Sequence, residues 1–328
     1  MRSLTIGKIR GIQQITTDRG HFIITAIDHR GSIRSMISPH EPETVTDIQI
    51  IERKLELCAS LSPHVSAMLL DPEFSAAQCI ARGKISGHTG ILISVEATGY
   101  EISPQGRITH ILDTWSVEKI KRMGASAVKI LLYYRPDMPK VAAKQLDTIR
   151  DIAMDCVKYD IPFLVEPVSY TLKAGVAEPA GLHSKIVIET ARQLTKLPID
   201  VLKAEFPGDV AHEPDEKKLV GLCRDLNTAT QVPWVVLSAG VDFDTFARQV
   251  EIACKSGASG FLGGRAIWQE AMTMTDKKER TDFLYKTGVE RIKKLADIVN
   301  AYAVPWYAKY GLKPDELADI NLNWYKGY

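Results

Sequence analysis

Eight short β-rich runs recur along most of the chain, and this recurrence constrains the fold more than any other feature. They are Phe22–Asp28, Val65–Pro72, Gly90–Glu96, Ala127–Tyr134, Pro162–Val168, Asp200–Pro207, Trp234–Gly240 and Gly260–Ala266. Most are nearly continuous apolar strings rather than alternating ones, the pattern of strands covered on both faces. Their starts lie about 25–45 residues apart, room for one strand, one helix and two loops per unit. The segments between them read as helices. Ser116–Gly124 has Ser116 as N-cap and stops at Gly124. Asp242–Gly257 carries Val250, Ala253 and Cys254 on one face, and Asp147–Tyr159 and Ser184–Leu197 look similar. Eight βα units in succession predict an α/β protein of the (β/α)8 TIM-barrel class rather than a doubly wound sheet. No linker or low-complexity stretch divides residues 1–302, and residues 1–21 read as a lead-in helix or loop closing the barrel floor. Residues 303–328 form an aromatic-rich extension, expected to pack on the barrel or a neighbouring subunit; the alternative is a lid.

Charge and cysteine usage narrow the partners. A formal net charge of +1 over 328 residues gives no whole-molecule field for nucleic acid, so any anion site must be local. No apolar stretch is long enough to span a bilayer, and the N-terminus lacks the apolar segment of a signal peptide. The five cysteines are scattered and never form a CxxC pair, which points to a reducing cytoplasm rather than a disulfide framework or a zinc ribbon. The expected partner is a small molecule, with no nucleic acid and no membrane. The tail aromatics are compatible with a homo-oligomer.

In barrels of this class functional side chains collect at the carboxyl ends of the strands. The polar residues here do so. The first run ends in Asp28-His29-Arg30-Gly31, the second in Asp71-Pro72-Glu73 and the third in Glu96. The fifth carries Glu166, the sixth Lys203 and Glu205, the seventh ends in Ser238-Ala239-Gly240 and the eighth in Gly263-Gly264-Arg265. Opposite ends are mostly apolar.

Lys203 lies in a buried-strand pattern, where desolvation disfavours the ammonium form and leaves an amine able to attack a carbonyl. Lys129 lies in a second such run, and two like charges aimed at one pocket would each lower the other's pKa. Together they suggest Schiff-base chemistry. The competing reading pairs Lys203 with a barrel carboxylate such as Glu205 or Glu166. Burial should raise the pKa of Glu166 toward the range useful for acid–base work, unless Lys129 or Lys203 neutralises it. Asp28 either orients a substrate hydroxyl or caps the following helix. Arg30 is either a second anion clamp or a solvated surface arginine. Tyr133 and Tyr134 read as packing. Ser238, Gly240, Gly264 and Arg265 suit a phosphate: small residues let the backbone approach an anion, and a guanidinium matches its geometry. Histidine spacing gives no zinc site, whereas Asp71, Glu96, Glu166 and Glu205 could hold Mg2+ in a lyase or isomerase.

These strand-end residues resemble the class I tagatose-1,6-bisphosphate aldolase family, which includes the sulfofructose-phosphate aldolases. The carriers are Ala26–Gly31, Leu69–Phe74, Thr98-Gly99-Tyr100 with Gly106-Arg107, Val128–Tyr134, Asp200–Glu205, Leu237–Val241 and Gly264–Trp268. The resemblance implies Lys203 as the Schiff-base lysine, Glu166 as general acid–base and Lys129 as its neighbour. It also implies Ser238, Gly240, Gly264 and Arg265 around a phosphate, with Asp28 and Arg30 near the substrate. No cofactor and no metal are implied. His29 stands where family members usually carry Gln. The implied reaction is cleavage of a ketose 1,6-bisphosphate such as tagatose 1,6-bisphosphate to dihydroxyacetone phosphate and glyceraldehyde 3-phosphate. Val165–Val168 and Gly257–Leu262 look more like the sulfosugar branch, whose products would be dihydroxyacetone phosphate and sulfolactaldehyde. A non-catalytic sugar-phosphate sensor on the same scaffold is a further alternative.

Overall fold

The computed structural model describes residues 4–103, 106–172, 179, 181–317, 320 and 322–328. Its centre is a closed barrel of eight parallel strands: β1 (Phe22–Ala26), β2 (Ala67–Leu70), β3 (Gly90–Ser94), β4 (Ala127–Tyr133), β5 (Phe163–Val168), β6 (Val201–Ala204), β7 (Trp234–Leu237) and β8 (Gly260–Gly263). Each strand pairs with its sequence neighbours, and β1 closes the ring by pairing with both β2 and β8. In register, Ile24 faces Ala67 on one side and Leu262 on the other.

Strand periodicity divides the apolar residues into two cores. Phe22, Ile24 and Ala26 of β1 point inward, with Leu69, Leu92, Ala127, Leu164, Val201, Val235 and Leu262. Their neighbours Ile23, Met68, Ile93, Val128, Val165, Leu202, Val236 and Phe261 point outward against the helices. Both strand faces are therefore covered, which is why the runs read as continuous rather than alternating.

Several helices start where the chain supplies caps. Ser116 accepts from the Lys119 N–H ahead of helix Val117–Arg122, and Asp242 from the Thr245 N–H ahead of Phe243–Lys255. The helix expected over Asp147–Tyr159 is longer: it spans Pro139–Lys158, with proline in its first turn and Val141, Ala142, Gln145, Ile149 and Ile152 on its buried face. The β3–β4 connection also holds a small antiparallel ribbon, Glu101–Ser103 with Gly106–Ile108, that the strand-and-helix reading missed.

The floor is built from both ends of the chain. Helix Ile6–Ile15 sends Ile12 and Ile15 into the inner core, and Trp306 joins them, fully buried. The Trp306 N–H donates to the Gly20 carbonyl, and the Tyr310 hydroxyl to that of Asp200. Residues 318, 319 and 321 of the 303–328 segment lie outside this description. The floor is less apolar than the strand pattern suggests. Asp200, just before β6, is buried; it pairs with Lys8 at 2.7 Å and accepts from the Phe163 N–H at 2.8 Å.

Candidate active site

The inward columns change character toward the carboxyl ends of the strands. Phe22, Ile24 and Ala26 are followed by Asp28, and Leu92 and Ser94 by Glu96. Ala127 is followed by Lys129, Leu164 by Glu166 and Val201 by Lys203. Parity alone thus places five ionisable side chains above the apolar layers. They line a cavity of about 350 Å3, together with His29, Thr98, Leu131 and Tyr133.

Lys129 is wholly buried and encircled by carboxylates: Asp28 at 2.7 Å, Glu96 at 2.7 Å and Glu166 at 3.0 Å. Burial alone would depress its pKa, but Asp28, Glu166 and Glu96 outweigh that and hold it well above the ordinary lysine value. This corrects the expectation that a neighbouring lysine would lower it. Lys129 is therefore held as an ammonium by its three carboxylate neighbours.

Lys203 Nζ lies 2.6 Å from Glu166 Oε1. Glu166 therefore bridges the two lysines. Burial pushes its carboxyl up, yet Lys129 and then Lys203 pull it further down, and the net shift is below the ordinary glutamate value. Of the two readings the neutralised one holds, with both lysines taking part, and Glu166 is a carboxylate at neutral pH, able to take a proton. Asp28 behaves alike: burial raises its pKa, but Lys129 and Lys203 bring it well below the ordinary range. It is not a helix cap. Helix Gly31–Ile37 has Arg30 at its N-cap and no side-chain cap, whereas Asp28 accepts from Lys129.

Arg30 is not a solvated surface arginine. It is buried, donating to Glu73 at 2.7 Å and to the Glu96 carbonyl at 2.6 Å, so it ties the ends of β1, β2 and β3 together. Nor do the four acidic residues weighed for Mg2+ converge. Asp71 is paired with the buried Lys54, Glu96 and Glu166 embrace Lys129, and Glu205 accepts from the Ser169 N–H at 2.8 Å. Among the described residues no three His, Cys, Asp or Glu side chains form a metal-holding group. Tyr134 donates to Gln193, away from the cavity, while Tyr133 faces it.

Beside the cavity, the ends of β7 and β8 form a second cluster. The Gly264 N–H points to Ser238 Oγ at 3.5 Å, and Gly264 precedes helix Arg265–Thr273. The Arg265 guanidinium packs under Gly240, where a Cβ would lie 2.8 Å from its Cζ. His29 joins the two regions. It lines the cavity, stands where a Cβ on Gly264 would lie 3.0 Å from its Cε1, and meets Trp268 edge-on at 5.3 Å between centroids. Burial brings its pKa down to about 4 despite Asp28, so its imidazole is neutral at pH 7. An Arg-flanked helix N-terminus with small residues, at the seventh and eighth strand ends, is a receptive geometry for phosphate.

The family model for DeoC/LacD family aldolases matches residues 22–270, nearly the whole barrel. The chain belongs to this aldolase family. DeoC/LacD relatives include the tagatose 1,6-diphosphate aldolase of Listeria innocua, 33% identical over 95% of this chain and 97% of the relative. Tagatose 1,6-diphosphate aldolase 2 of Enterococcus faecalis is 32% identical over 94% and 98%. Among solved structures, an archaeal fructose 1,6-bisphosphate aldolase superposes with a TM-score of 0.60 at 22% identity, covering 89% of this chain and 98% of its own. The Plasmodium falciparum fructose-bisphosphate aldolase reaches 0.69 at 12% identity, over 92% and 98%. These likenesses confirm the barrel. As a member of the DeoC/LacD family the protein is a carbon–carbon lyase.

Two features of this aldolase site had no sequence signal. Lys54 comes from helix Asp47–Leu61 to neutralise Asp71, and a lysine on a helix looks like any solvated one. The triple embrace of Lys129 depends on three separate strand ends meeting, which no local pattern encodes.

Proposed function

We propose that the protein is a class I aldolase that cleaves a ketose 1,6-bisphosphate, tagatose 1,6-bisphosphate being the first choice, to dihydroxyacetone phosphate and glyceraldehyde 3-phosphate. The observation that carries this reading is that Lys203, although paired with Glu166 at 2.6 Å as the competing reading expects, lines an open cavity together with that carboxylate rather than being closed off in the core.

In this mechanism Lys203 attacks the C2 ketone. Water leaves and an iminium remains, covalently joined to the protein. Glu166 takes the proton of the C4 hydroxyl as the C3–C4 bond breaks. The bonding pair moves into an enamine, and the aldehyde departs. Glu166 then returns a proton to C3, and water releases dihydroxyacetone phosphate from Lys203. Lys129 keeps Glu166 ionised, and the cluster of Ser238, Gly240, Gly264 and Arg265 holds the C1 phosphate so that remote binding energy positions the reacting carbons. Asp28 orients a substrate hydroxyl, and His29 presents a neutral imidazole beside the phosphate. A reducing, cytoplasmic setting suits five free, buried cysteines. No helix of the described residues is long and apolar enough to cross a membrane.

The test is borohydride reduction in the presence of dihydroxyacetone phosphate, followed by peptide mass spectrometry. The expected result is a single adduct on Lys203. An unlabelled protein that still cleaves the bisphosphate, and loses that activity in EDTA, would overturn the Schiff-base reading.

A further inference from the structure

We infer that Arg107 holds the anionic group at the far end of the substrate, the C6 phosphate or sulfonate, an assignment that rests on the aldolase reading above. Arg107 lies on the second strand of the ribbon in the β3–β4 connection, at the carboxyl-end face of the barrel. Three tyrosine rings surround its guanidinium: Tyr100 at 4.4 Å, Tyr170 at 5.0 Å and Tyr133 at 5.4 Å from the ring centroids. Aromatic faces attract a cation without cancelling its charge or occupying its N–H donors in the plane. The backbone is held too, because the Arg107 N–H donates to the Tyr170 hydroxyl at 3.2 Å.

Other arginines at this rim are already committed. Arg30 donates to Glu73 and the Glu96 carbonyl, and Arg135 to Asp137 and the Tyr170 carbonyl. Among the described residues no carboxylate or carbonyl accepts from the Arg107 guanidinium. It is oriented, and among the described residues it has no such acceptor.

Position completes the case. Tyr133 belongs to the inward column Lys129-Leu131-Tyr133, so one ring both lines the cavity and packs against Arg107. In the strand order β4 and β8 lie four places apart, on opposite sides of the ring. Arg265 follows β8, and the Arg107 cage leans on the end of β4. The Lys203–Glu166 pair, on β6 and β5, lies between them. A chain with an anion at each end and a ketone near one of them is the molecule that such an arrangement fits. A planar guanidinium takes a tetrahedral oxyanion through paired donors, and both phosphate and sulfonate present that face.

The experiment compares the full-length protein with Arg107→Ala on a ketose 1,6-bisphosphate and on the matching ketose 1-phosphate. The expected result is a KM for the bisphosphate raised about 10- to 100-fold, the size of a lost charge-assisted hydrogen bond. The 1-phosphate, which lacks the group, should change by less than about threefold in kcat/KM. Borohydride trapping of dihydroxyacetone phosphate on Lys203 should persist in the variant. Arg107→Gln carries the same expectation where the alanine variant fails to fold. Equal losses on both substrates, or none on the bisphosphate, would overturn the assignment. Parallel assays with 6-phosphate and 6-sulfonate substrates identify the anion by which one suffers the loss. If the unaltered protein neither cleaves a bisphosphate nor traps dihydroxyacetone phosphate, the aldolase reading itself falls. If it does both and Arg107→Ala is unchanged, only the role of Arg107 falls.

Discussion

Lys54 and Asp71 face each other behind the active site, and neither side chain reaches solvent. Asp71 also accepts from the Phe74 N–H at 2.7 Å and the Ser75 hydroxyl at 2.6 Å, so this pair shapes the turn after β2. That turn carries Glu73, which holds Arg30. Lys54→Met should leave an uncompensated buried carboxylate and cost about 3–5 kcal/mol of stability. Urea unfolding would measure it, and adding Asp71→Asn should recover part of the loss. A single-variant loss below about 1 kcal/mol would show the charge pair to be dispensable.

Glu166→Gln keeps the shape of the side chain but removes the base that bridges Lys203 and Lys129. The rate of cleavage should fall by about 10²- to 10⁴-fold. Adduct formation between Lys203 and dihydroxyacetone phosphate should continue, more slowly, because the nucleophile remains. Cleavage within a few-fold of the original rate would assign the proton transfer elsewhere.

The half-buried His29 makes stability depend on pH. Its pKa is about 4 in the folded chain against 6.5 as the reference, so the unfolded chain binds more protons between those values. Its contribution is fully present above pH 6.5 and is lost as pH falls toward 4. The total is about 3 kcal/mol, from the size of the shift. Glu166 and Asp28, whose folded pKa values are depressed, lose their contributions at lower pH, from the ordinary carboxylate range downward. Urea unfolding at pH 7, 6 and 5 should show the decline, and His29→Gln should flatten it. An unchanged slope in that variant would place the titrating group elsewhere.

Gly240 has φ of +81°, and a Cβ on it would press on the Arg265 guanidinium. Gly240→Ala should strain the turn by about 1–2 kcal/mol and displace that guanidinium. The expected outcome in steady-state kinetics is a KM for phosphorylated substrate about tenfold higher with kcat little changed. A change in kcat alone would place Gly240 outside the phosphate cluster.

The barrel was legible because its signal is local and repeated. Each strand announces itself by an apolar run, and eight of them at even intervals leave few architectures. The gathering of Asp28, Glu96, Lys129, Glu166 and Lys203 was legible for a related reason: each continues the inward column of its strand, one step beyond an apolar residue in all but Glu96, which follows Ser94. Protonation was not. Burial argued for a neutral lysine and a neutral glutamic acid, but the outcome depends on how many opposite charges arrive from other strands. Lys129 received three carboxylates, which reversed the direction expected for it, and Glu166 met two lysines, which made the neutralised alternative the one that holds. That Arg30 is held by Glu73 was equally illegible, since Glu73 comes from a different loop.

Trp306 seals the barrel at the end away from the lysines, and it does so by joining residues from the other terminus of the chain. Scaffold and reaction therefore answer to separate surfaces. Changes beneath the plug act on how long the molecule survives, while changes at the mouth act on what it recognises, and the two can be altered independently.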